Sequence, residues 1–285
     1  MPTALVTGAS TGIGQATALR LARAGWTVLA GVRDDAAGTR LVAEAAEHGG
    51  GASVEPIALD VTDAHQIAGA AARVAARDSS GPGRLDALVN NAGIGVGGPL
   101  ELIAVDDVRR QLDVNVVGQV AVTQALLPAL RAARGRIVFV SSVGGRVAMA
   151  FTAPYAASKH AIEAIGDALR VELRTSHVRV ALVEPGSVAT PIWDKGRAEG
   201  ERLQVPDELR QQYGHVPDAM DKTLRSTGER GVPADQVAET IERALTARRM
   251  RARYVVGRDA RVMIAVRRLL PDLVFDRLAR RALGV

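Results

Sequence analysis

Two side chains with complementary proton chemistry sit four positions apart in PYAASK, residues 154 to 159. Tyr155 and Lys159 would meet on one face of a helix, a single turn apart. A free phenol ionises near pH 10, too high for ready proton exchange at neutral pH. A neighbouring ammonium favours the phenolate and should lower that value. The plain alternative is a solvated helix edge with a snorkelling lysine. Tyr-x-x-x-Lys alone is a weak motif, so the rest of the chain must decide.

A second group of residues suits phosphate. Thr7-Gly8-Ala9-Ser10-Thr11-Gly12-Ile13-Gly14 joins an apolar run, TALVT at 3 to 7, to a helical pattern from Gly12 to Ala24. Gly8 allows the tight turn, Gly12 lets backbone approach a pyrophosphate, and Gly14 permits close helix–strand packing. The helix N-terminus supplies free N–H donors and positive potential. The placement at the first strand–helix junction points to a dinucleotide.

The elements that would position these residues repeat a strand–helix alternation. Further strands read at WTVLAGV (26–32), ASVEPIALDV (52–61), LDALVNNAG (85–93), RIVFVSS (136–142), VRVALVEPG (178–186) and RYVVG (253–257). A helix reads at 36–48, and helices of 12 or more residues fit between the later strands. Strands buried on both faces with helical crossovers predict an α/β fold: a Rossmann-type, doubly wound parallel sheet of about seven strands. One domain over 1–285 is expected. The polar, Gly- and Pro-containing stretch 194–235 breaks the pattern beyond a strand's carboxyl end, where ligands bind in such sheets, and reads as a substrate lid.

Bulk composition narrows the classes. There is no cysteine among the 285 residues, which excludes disulfides, thiolate metal sites and a cysteine nucleophile. The histidines at 48, 65, 160, 177 and 215 show no ligand spacing, so no metal is expected. The opening lacks signal-peptide features and no run of 18 apolar residues occurs, which reads as cytoplasmic. The net charge of +5 resides in the tail, because Thr246 to Val285 carries eleven arginines against three aspartates. No nucleic-acid recognition motif accompanies that basicity, so nucleic acid is not expected as a partner.

Jointly, TGxxxGxG at the N-terminus, Asn90-Asn91-Ala92-Gly93, and Tyr155-x-x-x-Lys159 resemble the short-chain dehydrogenase/reductase family, single-domain branch. Ser142, thirteen residues before the tyrosine, and Pro185-Gly186-Ser187-Val188 extend the resemblance, which is dense from residue 3 to about 190. It implies an oxidoreductase with Tyr155 as general acid/base and Lys159 bonding the nicotinamide ribose. Ser142 would hold the substrate oxygen, with Ser141 its rival on the same strand end. Asn115 in DVNVVG would serve a water relay to the lysine, or else be a helix-interior amide bonded to backbone. Thr152 would cap the catalytic helix, with Pro154 in its first turn.

The resemblance also assigns cofactor contacts. Gly8, Ser10, Thr11, Gly12, Ile13 and Gly14 would cradle phosphate. Asp60 and Val61 would edge the adenine pocket, with Asn90, Ala92 and Gly93 as its neighbouring wall. Pro185, Gly186, Val188 and Thr190 would lie at the carboxamide end. Val32 stands where an NAD enzyme of this type carries an acid, and Arg33 follows it; a guanidinium there grips a 2′-phosphate. NADP(H) is therefore favoured over NAD(H), although Asp34 could instead cap a ribose.

Substrate residues are less legible. Ile94, Val96, Met149, Phe151 and Trp193 should border the cleft and suit a hydrophobic ketone or alcohol of steroid, retinoid or lipid type. Residues 258–285 resemble the extension of steroid- and retinol-type members: two basic amphipathic helices broken at Pro271. They could dock over the pocket, meet a partner subunit or lie on an anionic membrane. Subunit pairing through helices near 107–132 and 152–175 would give a homodimer or homotetramer. Two other functions fit the same fold: a non-catalytic NADPH-sensing regulator, and a reductase of small polar or acyl-carrier substrates.

Overall fold

In the computed structural model, residues 1–47, 54–77, 83–190 and 205–283 are described. Seven strands form one parallel sheet: β1 (Thr3–Val6), β2 (Thr27–Val32), β3 (Val54–Ala58), β4 (Ala87–Asn90), β5 (Arg136–Val140), β6 (Arg179–Pro185) and β9 (Arg253–Val256). Their order is β3-β2-β1-β4-β5-β6-β9, as expected for a doubly wound sheet. The chain leaves β1 in one direction and returns to β4 on its other side. This switch point lies where the glycine-rich turn begins.

Strand periodicity sorts the core into two layers. Ala4, Val6, Val28, Ala30, Val138, Val140, Ala181 and Val183 face α1 (Gly12–Arg23), with α2 (Asp35–Glu47) and α9 (Ala234–Thr246) on the same side. Leu5, Leu29, Leu88, Ile137, Phe139, Val180 and Leu182 face α3 (Ala64–Ala75), α5 (Gly118–Ala133) and α6 (Ala153–Glu172). Small residues on one face and large ones on the other let helices approach the sheet to different depths. Gly166 in α6 makes the close approach to Leu182, whose side chain would lie 3.1 Å from any Cβ placed there.

Between β4 and β5, α4 (Val105–Leu112) runs through one π-helical turn, Asp113–Val117, into α5. Among the described residues this continuous stretch, Val105–Ala133, is long and apolar enough to cross a bilayer. Here Val122, Leu126 and Leu130 of that stretch pack into the sheet's core.

The 194–235 stretch departs from the irregular loop its polarity suggests. Within its described part, α7 (Arg210–Tyr213) and the 15-residue α8 (Val216–Arg230) form. Pro217 in the first turn of α8 starts that helix, and the Arg225–Asp221 pair at 2.7 Å spans one of its turns. At its end Gly231 lies against the Val188 and Ala189 backbone, where a Cβ would be 2.7 Å from Ala189 N. That approach lets β8 (Val232–Pro233) pair with β7 (Val188–Ala189) as a small second sheet. The tail forms the two expected helices, α10 (Arg258–Leu269) and α11 (Asp272–Leu283), broken around Pro271.

Candidate active site

Residues from the carboxyl ends of β1, β4, β5 and β6 meet along one edge of the sheet. The glycine-rich turn is held there by backbone. Ala9 N donates to Gly31 O at 2.9 Å, and Gly8 and Gly12 adopt positive φ of 63° and 59°. A Cβ on Gly14 would collide with the Gly8 carbonyl, so that position requires glycine. Thr11 stands at the N-cap of α1 but makes no capping hydrogen bond, and the first turn holds no acid. The leading N–H groups of α1 thus face outward with positive potential and no side-chain competitor, which fits a phosphate group.

The turn after β4 is latched onto this loop. Thr7 Oγ1 accepts from Asn91 N and Ala92 N, each at 2.9 Å, while Asn91 Nδ2 donates to Thr7 O and Gly8 O at 3.0 and 3.1 Å. Asn91, not singled out from the sequence, is therefore the positioning residue of the pair. Asn90 is fully buried and donates to Thr123 Oγ1 at 2.8 Å. Its side chain is thus tied to α5, which leaves its backbone to border the expected adenine pocket.

At β5 the strand ends against the candidate catalytic helix. Ser142 Oγ accepts from Gly144 N at 3.0 Å, and a Cβ on Gly144 would lie 3.1 Å from the Tyr155 ring. Ser141 Oγ is buried without a partner on the opposite side of the strand. Strand alternation thus selects Ser142 to face the phenol. Lys159 is buried, donates from Nζ to Val140 O at 2.8 Å, and lies 5.8 Å from the Tyr155 ring centroid. The snorkelling alternative fails on that burial.

Burial sets the proton affinities. It lowers Lys159 from the ordinary lysine value to about 8, against an opposing pull from Glu163. It raises Tyr155, outweighing the Ser142 hydrogen bond that favours the phenolate. The Lys159 ammonium alone does not bring the phenol below its ordinary value; the expected lowering draws also on the positive charge of an oxidised nicotinamide. Desolvation of the half-buried phenol dominates, and the ammonium is spent partly on a neutral carbonyl.

Asn115 is fully buried in the π-helical turn. Its Oδ1 accepts from Ile94 N at 2.8 Å; its Nδ2 donates to Ile94 O at 3.0 Å and to Ser158 Oγ at 3.1 Å. Ser158 donates in turn to Tyr155 O at 2.7 Å. Both ends of the amide are engaged within the protein, as in the helix-interior alternative. It ties the 94–96 loop to the helix that bears the tyrosine. Gln111 does parallel work, donating to Ile94 O at 2.8 Å and accepting from Val96 N at 2.6 Å.

The rim is closed by strained backbone. Phe151 has φ +66°, unusual for a bulky residue, and its carbonyl accepts from Gly98 N at 2.8 Å. Thr152 occupies the N-cap of α6, yet its hydroxyl donates back to Met149 O at 2.7 Å and caps nothing. Pro154 does lie in the first turn. Met220 of α8 reaches Gly97, where a Cβ would be 3.2 Å from its Cε, and Tyr213 donates to Glu101 at 3.0 Å. Gly97 and Phe151 therefore meet Met220 of α8 at this rim; Ile94 and Met149 nearby in the chain are half-buried and Val96 is buried, while Trp193 lies outside the described residues.

At the β2 and β3 ends, Val32 is buried and Arg33 exposed. Asp34 Oδ1 accepts from Ala37 N at 2.7 Å, so one oxygen of its carboxylate caps the start of α2. Burial raises Asp60, but its bonds from Thr62 and the charge of Arg33 bring it below the ordinary aspartate value. Val61 is buried against the start of α5, where a Cβ on Gly118 would be 2.6 Å from Val61 O.

Gly186, Val188 and Thr190 follow Pro185, the last residue of β6, and here the sequence missed the anchor. Asp259, in the first turn of α10, accepts from Ser187 N at 2.7 Å and fills the space beside Gly186 that a Cβ would need. The tail thereby fixes this turn directly. Beyond it, α10 also borders the turn after Ser142, and with Val255 it lines a separate apolar depression of about 540 Å³.

The family profile described as short chain dehydrogenase matches residues 2–201. The chain is 33% identical over 280 residues to the NADPH-dependent 3-dehydrocapnine reductase of Ornithobacterium rhinotracheale, covering 96% of this chain and 95% of that protein. It is 36% identical to short-chain dehydrogenase/reductase family 9C member 7 of Bos taurus, covering 98% and 88%. The solved short-chain dehydrogenase/reductase of Burkholderia phymatum in complex with NAD superposes with a TM-score of 0.79, at 26% identity and over 94% and 92% of the two chains. The chain belongs to the short-chain dehydrogenase/reductase family of oxidoreductases.

Proposed function

We propose that this oxidoreductase is NADP(H)-dependent and interconverts a secondary alcohol with its ketone, or an alcohol with its aldehyde, on a hydrophobic substrate of steroid, retinoid or lipid type. The observation that carries the reading is the meeting of Tyr155, Ser142 and buried Lys159 at the end of β5, beside the uncapped N-terminus of α1.

In this reading Gly8, Ser10, Thr11, Gly12, Ile13 and Gly14 receive the pyrophosphate. Asp60, Val61, Ala92 and Gly93 border the adenosine, Tyr155 and Lys159 the nicotinamide ribose, and Pro185, Gly186, Val188 and Thr190 the carboxamide. Relatives differ in the nicotinamide dinucleotide that their names carry, so the residues after β2 must decide. The buried Val32 cannot bind ribose hydroxyls, Asp34 is committed to α2, and Arg33 is exposed to meet a 2′-phosphate.

The dinucleotide supplies or accepts the hydride. In the reducing direction Tyr155 Oη gives its proton to the carbonyl oxygen as that oxygen gains negative charge. Ser142 holds the same oxygen, and the Lys159 ammonium stabilises the phenolate left behind. A raised tyrosine suits this direction, because the phenol stays protonated at neutral pH. The apolar rim of Ile94, Val96, Met149, Phe151 and Met220 favours an apolar substrate body.

We also place the enzyme in the cytoplasm as a homodimer or homotetramer paired through α4–α5 and α6, where Val105, Val117 and Val171 are exposed. The test of function is nicotinamide absorbance over time with NADPH and NADH separately, against steroid, retinoid, aliphatic and small polar carbonyls. NADPH oxidation with the apolar carbonyls is expected. NADPH binding without turnover on any of them would overturn the reading in favour of a cofactor sensor.

A further inference from the structure

Behind the catalytic motif lies a buried charge cluster that the reaction above leaves unused. Glu163 and Glu184 are both buried; Glu163 accepts from Arg253 Nε at 3.0 Å, and Glu184 Oε1 is ion-paired to the same Nε at 2.9 Å. Arg253 also bonds Asp167 at 2.6 Å, which Arg170 holds from its own helix, and Arg146 bonds Glu184 at 3.1 Å. One guanidinium is thus divided among three carboxylates. Glu163 Oε1, Glu184 Oε2 and Ser141 Oγ remain buried without partners.

Glu163 and Lys159 are one turn apart on the buried stripe of α6. Gly145 packs against this stretch of α6: a Cβ there would lie 3.0 Å from Glu163 Cγ, 3.0 Å from the Lys159 backbone carbonyl and 2.7 Å from Ser141 Oγ, so the Glu163 side chain leaves the helix toward the β5 end that bears the Lys159 contact. Among the described residues no carboxylate bonds Lys159 Nζ, whose contact is the neutral Val140 carbonyl. A buried ammonium without a counter-charge sheds its proton easily. Glu163 is the anion on the same helix face with an unspent oxygen. Around it, among the described residues, stand Glu184 from β6, Arg253 from β9, Arg146 and Ser141 from the β5 end, and Asp167 on α6.

We propose that Glu163 is a positioning residue: the buried counter-charge that keeps Lys159 protonated at the working pH without itself touching substrate or cofactor. Glu184, screened by Arg146 and Arg253, neutralises the far side of the cluster and does not share that role. The inference rests on the catalytic reading of Lys159 for its meaning but not for its test.

The chain has three lysines, at 159, 195 and 222, so a 13C,15N-lysine-labelled protein gives few enough side-chain resonances to titrate individually. Parent protein should titrate Lys159 near 8. Glu163→Gln keeps an acceptor for Arg253 but removes the charge, and should lower the Lys159 midpoint by about one pH unit, a tenfold loss of proton affinity. Glu184→Gln, which disturbs the same arginines, should leave the midpoint in place. Glu163→Asp, retaining the charge, should restore most of the parent value and serves as the folded control if Glu163→Gln is unstable. An unmoved midpoint in Glu163→Gln, or an equal shift in Glu184→Gln, would overturn the proposal. A shifted midpoint with an unchanged pH dependence of turnover would uphold the pairing and count instead against the catalytic role of Lys159.

Discussion

Burial moves the two members of the Tyr155–Lys159 pair in opposite directions, the phenol up and the ammonium down to about 8. Each shift favours the neutral form, as desolvation requires. Carbonyl reduction should therefore hold steady from neutral pH and fall on the alkaline side with a midpoint near 8, as Lys159 loses its proton. Initial rates at saturating cofactor between pH 6 and 10 test this; a rate that climbs through that interval would contradict it. Arg33 carries the cofactor choice. Arg33→Ala should weaken NADPH binding by roughly 10- to 100-fold, the worth of charge-assisted hydrogen bonds, and NADH binding little. Equal losses in fluorescence titrations with the two nucleotides would return the choice to NAD. The placement of Tyr155, Lys159 and Arg33 was readable from the sequence because each follows a fixed element. The sign of the tyrosine shift was not, because enclosure of the ring depends on segments distant in the chain.

Elements explain what the motifs leave open. Strand periodicity and the glycine-rich turn were legible because each is a local rule: β1 to β6 and β9 fall within three residues of the runs that foretold them. Long-range ties were hidden. Nothing local shows that Asn90 serves Thr123, that Asn91 latches the phosphate turn, or that Asp259 crosses from α10 to Ser187 N. Polarity between 205 and 235 likewise concealed α8, whose exposed face is solvated while Val216 is buried. The β6–α6–β9 charge cluster is another such product, and it has a pH signature. Burial raises Glu184 from 4.5 to about 7, with Glu163 adding to the rise and Arg146 and Arg253 opposing it. The folded state then binds that proton more tightly than the unfolded one, so this contribution is present below pH 4.5 and is lost as pH rises to 7. Glu184→Gln should accordingly gain stability relative to the parent across that interval, by about 2–3 kcal/mol at its upper end. Urea denaturation at several pH values measures the gap; parallel curves would show that the carboxylate is ionised throughout.

At the scale of the whole molecule, one sheet edge gathers the residues proposed to bind cofactor and react, and the basic tail reaches that edge at Ser187 and at the turn after Ser142. Its first helix anchors through Asp259 and the buried Ala260, whereas α11 leaves Leu273, Val274 and Leu278 exposed and buries Phe275 beneath Arg267. Deleting residues 271–285 should therefore change substrate affinity or assembly and leave NADPH binding intact; an unfolded product would make α11 part of the core. The arrangement as a whole stands on the assignment of proton transfer to one phenol. Its most direct test is Tyr155→Phe, which removes a single oxygen from a ring that Gly144 already contacts, with turnover and NADPH binding measured on the same preparation. Turnover should fall by about 10²- to 10⁴-fold, the usual worth of a general acid, while NADPH affinity changes little. Retained turnover in Tyr155→Phe, with cofactor bound normally, would contradict the mechanism at its centre.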